Sequence, residues 1–258
     1  MNLDGLDPAI LVPALAAGVL VIATHVPLGQ QVLKRGIIFI DLAIAQIAGL
    51  GVLLANTLGL QGSIIAVQLT AFGAALLGAW LLHQCERRWP DTLEAIIGAV
   101  FVLAATAGIL LLANNPHSGE HLQQLLVGQI LWVGFDQLAP VLGLSLLVLI
   151  VWFGFKAPDR PALFYILFAL TVTASVQLVG IYLVFASLII PALAVGRLTL
   201  PRQSLFAGYI VGLSGYSGGL VLAALLDLPA GAVIVWMLTA FGLMVSVITR
   251  RVTRLQSG

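Results

Sequence analysis

The sequence predicts an all-α integral membrane protein, a single domain over residues 1–258 built as a polytopic bundle of nine transmembrane helices with a cytoplasmic C-terminus. Three observations predict it. Hydrophobic residues make up 61% of the chain and charged residues 8%, too little charge to cover the surface of a water-soluble domain. The eleven Lys and Arg residues fall into five short clusters. Between the clusters run apolar stretches whose length matches the roughly 20 residues a helix needs to cross a hydrocarbon core.

The nine apolar segments occupy 9–26, 36–58, 63–83, 92–113, 138–155, 163–179, 180–195, 205–226 and 231–249. The first follows Asp4 and Asp7; its acidic flank and its length mark a retained helix rather than a cleaved leader. Lys34 and Arg35 separate it from the second, Arg87 and Arg88 follow the third, and Lys156 and Arg160 follow the fifth. Arg197 and Arg202 precede the eighth, and Arg250, Arg251 and Arg254 close the ninth. The stretch 163–195 reads as two short helices or as one span with a re-entrant piece, and 121–133 is apolar enough to dip into the bilayer without crossing it. Eight or ten spans are therefore the alternatives to nine. With the N-terminus outside, strict alternation places all five basic clusters in the cytoplasm, as the positive-inside rule expects. The loops 56–61, 114–120 and 227–230, which carry no Lys or Arg, then lie outside.

Asp41 is a carboxylate that falls within a span, and a charge there is expensive enough to mark a functional candidate. Gln46 follows in the same segment and Gln68 lies in the next, so a carboxylate and amides are candidates to line a polar path. The structural alternative is that Asp41 snorkels toward Arg35 or bonds across helices. Glycine-dense stretches such as Gly215-Tyr216-Ser217-Gly218-Gly219 read as close helix packing. His25 and His83, at the ends of their segments, are expected at the membrane interface. Lone Cys85 excludes an internal disulfide.

Several chemistries are excluded. The Gly215 to Gly219 stretch fits G-x-S-x-G and resembles the serine motif of rhomboid proteases, but no His follows His121, so Ser217 lacks a base. His117-Ser118-Gly119-Glu120-His121 fits H-x-x-E-H. Pro116 and Gly119 spoil the helix that a hydrolytic zinc site requires, which leaves His117, Glu120 and His121 as candidates for transient metal holding at the outer mouth. Lys34 and Lys156 are the chain's only lysines, and neither follows a glycine-rich loop of Walker A type. The chain is not expected to be an enzyme or to hydrolyse nucleotide itself.

Several stretches, collinear across almost the whole chain, resemble the membrane permease of bacterial zinc, manganese and iron ABC importers. Val32-Leu33-Lys34-Arg35-Gly36 leads into Asp41, where that family has a V-L-R-R segment leading into G-D-A-L-S-H-A. Glu94-Ala95-Ile96-Ile97-Gly98 resembles the family's acidic residue before A-I-G, and the run from His121 to Leu131 resembles D-L-x-x-L-L-F-G-N-I-L. The most specific piece runs from Val179 through Gly180 and Pro191 to Ala194, against V-G-x-L-L-V-x-A-L-L-I-I-P-A-A-T-A. Asp227-Leu228-Pro229-Ala230-Gly231 is similar to the family's x-D-x-P-x-G.

The resemblance implies a permease of the bacterial inner membrane that moves a divalent metal, zinc first and then manganese or iron, and holds no covalent cofactor. The partners it implies are cytoplasmic ABC ATPase subunits, an extracytoplasmic metal-binding protein and a second copy of the permease; nucleic acid is not among them. It places the ATPase contact around Arg197, Thr199 and Arg202. It also implies a metal path at Asp41, with one departure: the family's His lies four residues after its Asp, whereas Ala45 stands there in this chain and Gln46 follows. The rival reading is an ion-coupled secondary carrier or a channel in which Asp41 takes up and releases a cation.

Overall fold

The computed structural model describes residues 7–113 and 126–256, with the side chains of all of these except Gln61 and 250–256. Among them the apolar segments form nine helices: α1 Pro8–Arg35, α2 Ile40–Thr57, α3 Ile64–Arg88, α4 Leu93–Leu111, α5 Phe135–Gly154, α6 Pro161–Val179, α7 Ile181–Val195, α8 Pro201–Leu226 and α9 Ala230–Gln256. Eight are long and apolar enough to cross a membrane, and α7 with its 15 residues is the shorter one.

Local sequence sets the boundaries. Asp7 accepts the Ala9 N–H at 2.8 Å and Pro8 occupies the first turn of α1, where its missing N–H is not needed. The helix then runs nine residues past the apolar segment ending at Val26, through Pro27, Gln30 and Gln31, to a left-handed cap at Gly36. Ser63 caps α3 by accepting from Ala66, and Pro161 and Pro201 open α6 and α8.

The 163–195 stretch resolves into two helices because Gly180 breaks it at φ 81 and ψ 163, a conformation essentially reserved for glycine. Gly128, also at positive φ, packs its backbone directly on Val179 and Gly180. The described part of 121–133 does not cross. It makes a 3-10 turn at Ile130–Trp132 and buries Ile130 and Val133 against the bundle.

α6 is the central helix, with most of its residues buried, and it touches α1, α2, α3, α5 and α7. α8 inserts between α1 and α9 through its glycines. A Cβ at Gly208 or Gly212 would collide with Val26 or Ile22, and one at Gly215 or Gly219 with Leu238 or Ile234. In lipid no hydrophobic effect drives helices together, so such close backbone approach is what holds them. This is the packing role expected for the Gly215 to Gly219 stretch. Within it Tyr216 is buried and shares a 2.8 Å hydrogen bond with Ser187 of α7, while Ser217 is exposed.

Contacts at one end join the basic clusters. Arg35 reaches Glu86 of α3 and the Pro158 carbonyl, and Gln30 donates to Ser204 of α8. The opposite end holds the Gly128 contact with Val179 and Gly180, the close approach of Gly231 to the Val127 carbonyl, and a 2.6 Å hydrogen bond from Gln68 to Gln177.

Candidate functional site

Asp41 stands in the first turn of α2, where the positive end of the helix dipole favours a negative charge. It is 1% exposed. Its own amide and that of Leu42 lie near the carboxylate, yet neither oxygen closes a hydrogen bond. Arg35, the cation that snorkelling would use, is engaged elsewhere. Its Nη1 donates to Glu86 at 2.9 Å, its Nη2 to the Pro158 carbonyl at 3.3 Å, and its guanidinium lies 4.6 Å from the Phe164 ring centroid.

A second carboxylate, Glu94, lies in the first turn of the neighbouring helix α4, which packs on α2. One of its oxygens accepts the Phe39 N–H at 3.2 Å, just before α2 begins; the other is buried without a partner. Two neighbouring helices thus begin with carboxylates, and Glu94 reaches the backbone two residues before Asp41. Sequence reasoning placed Glu94 only within a resembling stretch. The signal that would have singled it out is an acid in the first turn of a spanning helix, on the same side of the membrane as Asp41.

Gln46 is half-buried on α2 but lies elsewhere around the helix. Five positions at about 100° each set it roughly 140° from Asp41, so the two candidates do not converge on one face. Phe39, beside Asp41, stacks on Phe185 of α7 with centroids 6.2 Å apart and planes 7° from parallel. Among the described residues no three His, Cys, Asp or Glu side chains gather into a metal-binding group.

His117, Glu120 and His121 lie outside the described residues. Arg197, Thr199 and Arg202 are exposed in and just after the short connection from α7 to α8. His25 corrects an expectation. It is buried inside the bundle rather than placed at the interface, because α1 extends nearly three further turns beyond it, and its Nδ1 bonds the Val21 carbonyl at 2.8 Å. His83 does lie at the basic end, 3.5 Å from Glu86 and beside the Tyr165 ring.

A bundle of apolar helices long enough to cross a membrane, with a buried carboxylate in the first turn of one of them, defines a polytopic membrane protein. The model of the ABC 3 transport family matches residues 7–158 and 160–249, and the chain belongs to that family. Its members are permease subunits of ABC transporters and are not themselves enzymes, and as a multi-pass member the protein resides in the bacterial inner membrane.

The chain is 28% identical over 243 residues to the manganese transport system membrane protein MntC of Halalkalibacterium halodurans, covering 86% of this chain and 81% of that one. It is 24% identical over 247 residues to the high-affinity zinc uptake system membrane protein ZnuB of Haemophilus influenzae, covering 88% and 92%. The fold matches a structure of PsaBC from Streptococcus pneumoniae in complex with Fab at a TM-score of 0.76 and 22% identity, covering 95% of each chain. These findings bear out the family resemblance and do not favour an ion-coupled carrier.

Proposed function

We propose that this chain is the permease subunit of an ABC importer for a divalent first-row metal ion, with zinc and manganese as its substrates of interest. The observation that carries the reading is Asp41, a buried carboxylate whose oxygens close no hydrogen bond among the described residues, in a chain related to a manganese and a zinc permease. A carboxylate held in that state has a free energy that a passing cation lowers. The absence of an imidazole four residues after Asp41 leaves oxygen donors, which suit manganese better than zinc.

Two copies of the permease would pair, with the N-terminus outside and the C-terminus in the cytoplasm. An extracytoplasmic binding protein would deliver the ion at the end that holds Gln68 and Gln177. A cytoplasmic ATPase would dock on Arg197, Thr199 and Arg202, and ATP would shift the balance between two packings of similar energy. His117, Glu120 and His121 are proposed to hold metal briefly at the outer mouth.

Proteoliposomes containing the permease, with and without its ATPase and binding protein, test this. Uptake of Mn(II) or Zn(II) only with ATP and both partners is the expected result. Uptake by the permease alone would overturn it in favour of a carrier.

A further inference from the structure

Pro27 lies inside α1, about two turns before the helix ends. A proline there brings no N–H, so the carbonyl four residues earlier, that of Ala23, loses its donor within the helix. In a membrane an open backbone carbonyl is costly. The one on Ala23 is not left open, because the Tyr209 hydroxyl of α8 donates to it at 3.1 Å. Neighbouring carbonyls also draw on side chains. Thr24 Oγ1 donates to Val21 at 3.1 Å and to Leu20 at 3.3 Å, and His25 Nδ1 bonds Val21 at 2.8 Å. A turn that combines a proline with back-bonding side chains is where a helix bends.

α8 grips the same stretch of α1. Gly208 packs on Val26 and Gly212 on Ile22, and Gln30 donates to Ser204 at 3.1 Å. These contacts join residues 22–30 of α1 to 204–212 of α8. They stand between two regions already described. α8 begins directly after the exposed connection that holds Arg197 and Thr199, and α1 passes through the turn 36–39 into α2, whose first turn holds Asp41.

We propose that Tyr209 is a positioning residue for transport. By supplying the donor that Pro27 lacks, it fastens the weak turn of α1 to the N-terminal half of α8. A displacement of α8 at its Arg202 end is then carried through α1 to the start of α2. The glycine contacts alone do not do this, since packed surfaces slide, whereas a directed bond to a fixed backbone atom sets the register of the two helices. That the displacement comes from an ATPase rests on the transport reading above; the clamp itself does not.

The clamp is tested by the melting temperatures of the purified permease as wild type, Tyr209→Phe, Pro27→Ala and the double variant. Tyr209→Phe should lower the value by about 2–4 °C, the effect of one hydrogen bond in a chain of this size. In the Pro27→Ala background an amide N–H is restored to the Ala23 carbonyl, so adding Tyr209→Phe should change it little. Equal losses in both backgrounds overturn the clamp.

Transmission is tested in proteoliposomes with the ATPase and binding protein present, as Mn(II) or Zn(II) taken up per ATP hydrolysed. Tyr209→Phe should cut this ratio at least about fivefold, the low end of an ordinary coupling between sites. Tyr216→Phe removes another buried hydroxyl of α8, one that reaches Ser187 of α7, and should leave the ratio unchanged. A wild-type ratio in Tyr209→Phe, or an equal fall in Tyr216→Phe, overturns the transmission. A wild type that takes up neither ion with ATP fails the transport reading instead, and the melting temperatures still decide the clamp.

Discussion

The Arg35 guanidinium meets the Glu86 carboxylate at 2.9 Å, with side chains 14% and 23% exposed, and so ties the last turn of α1 to the last turn of α3. Its other arm bonds the Pro158 carbonyl in the turn before α6, and its plane lies over Phe164 at the start of α6. One side chain therefore fastens three helices at the end that carries the basic clusters.

Arg35→Ala is expected to destabilise the bundle by about 2 kcal/mol or more, since it strands a partly buried Glu86. Arg35→Lys should recover only part of this, because an ammonium cannot make the fork and the aromatic contact together. Thermal unfolding in detergent checks both, and a double-mutant cycle with Glu86→Gln isolates the pair.

Asp41→Asn should behave oppositely. It removes a charge that has no partner, so the melting temperature should hold or rise, while ATP-driven metal uptake should fall at least about tenfold by loss of a charged group from the path. A melting temperature well below wild type would show that Asp41 is held by an interaction absent from this structure.

Gly180→Ala should prevent correct folding. The residue sits at φ 81, and an added Cβ would collide with the backbone of Val127 and Gly128. Gly128→Ala should fail in the same way against Val179 and Gly180. Size-exclusion profiles and expression levels in membranes report this, and a monodisperse, wild-type-like Gly180→Ala would contradict the corner described here.

Tyr216→Phe deletes only the hydroxyl shared with Ser187, and Ser187 keeps its bond to the Leu183 carbonyl, so a loss of about 1 kcal/mol is expected. Tyr216→Ala would leave a cavity where α8 meets α1 and α7, at about 3–5 kcal/mol. The ratio between the two losses measures how much of this contact is packing.

Arg197→Glu with Arg202→Glu should leave the isolated permease folded, as both side chains are exposed. Association with the ATPase should be lost, together with permease-dependent stimulation of ATP hydrolysis. Co-purification at low and high salt reads this out. Retained association would place the contact elsewhere on this face.

The fold was legible because lipid leaves so few choices. Every backbone polar group must be satisfied within its own segment, so each apolar run between polar punctuation becomes a helix, and the nine runs did so. Composition was a poorer guide to where helices end. α1 continues past Val26 because Gly36, rather than the first polar residue, supplies its cap. For the same reason His25 was expected at the interface and is buried well inside the bundle.

The site was legible as a single residue. Asp41 stands out in any reading as a carboxylate within an apolar span. Its relation to Glu94, 53 positions away, depends on α2 and α4 packing side by side and beginning at the same end. Likewise the separation of Gln46 from Asp41 follows from helix rotation, but which face turns toward the bundle's interior does not. By itself the sequence determined the class of protein and its helices, since those follow from burial length and composition along the chain. Only the tertiary structure decided which charges are paired and which are left open. That choice rests on side chains from distant segments meeting in a medium where no water compensates a mistake.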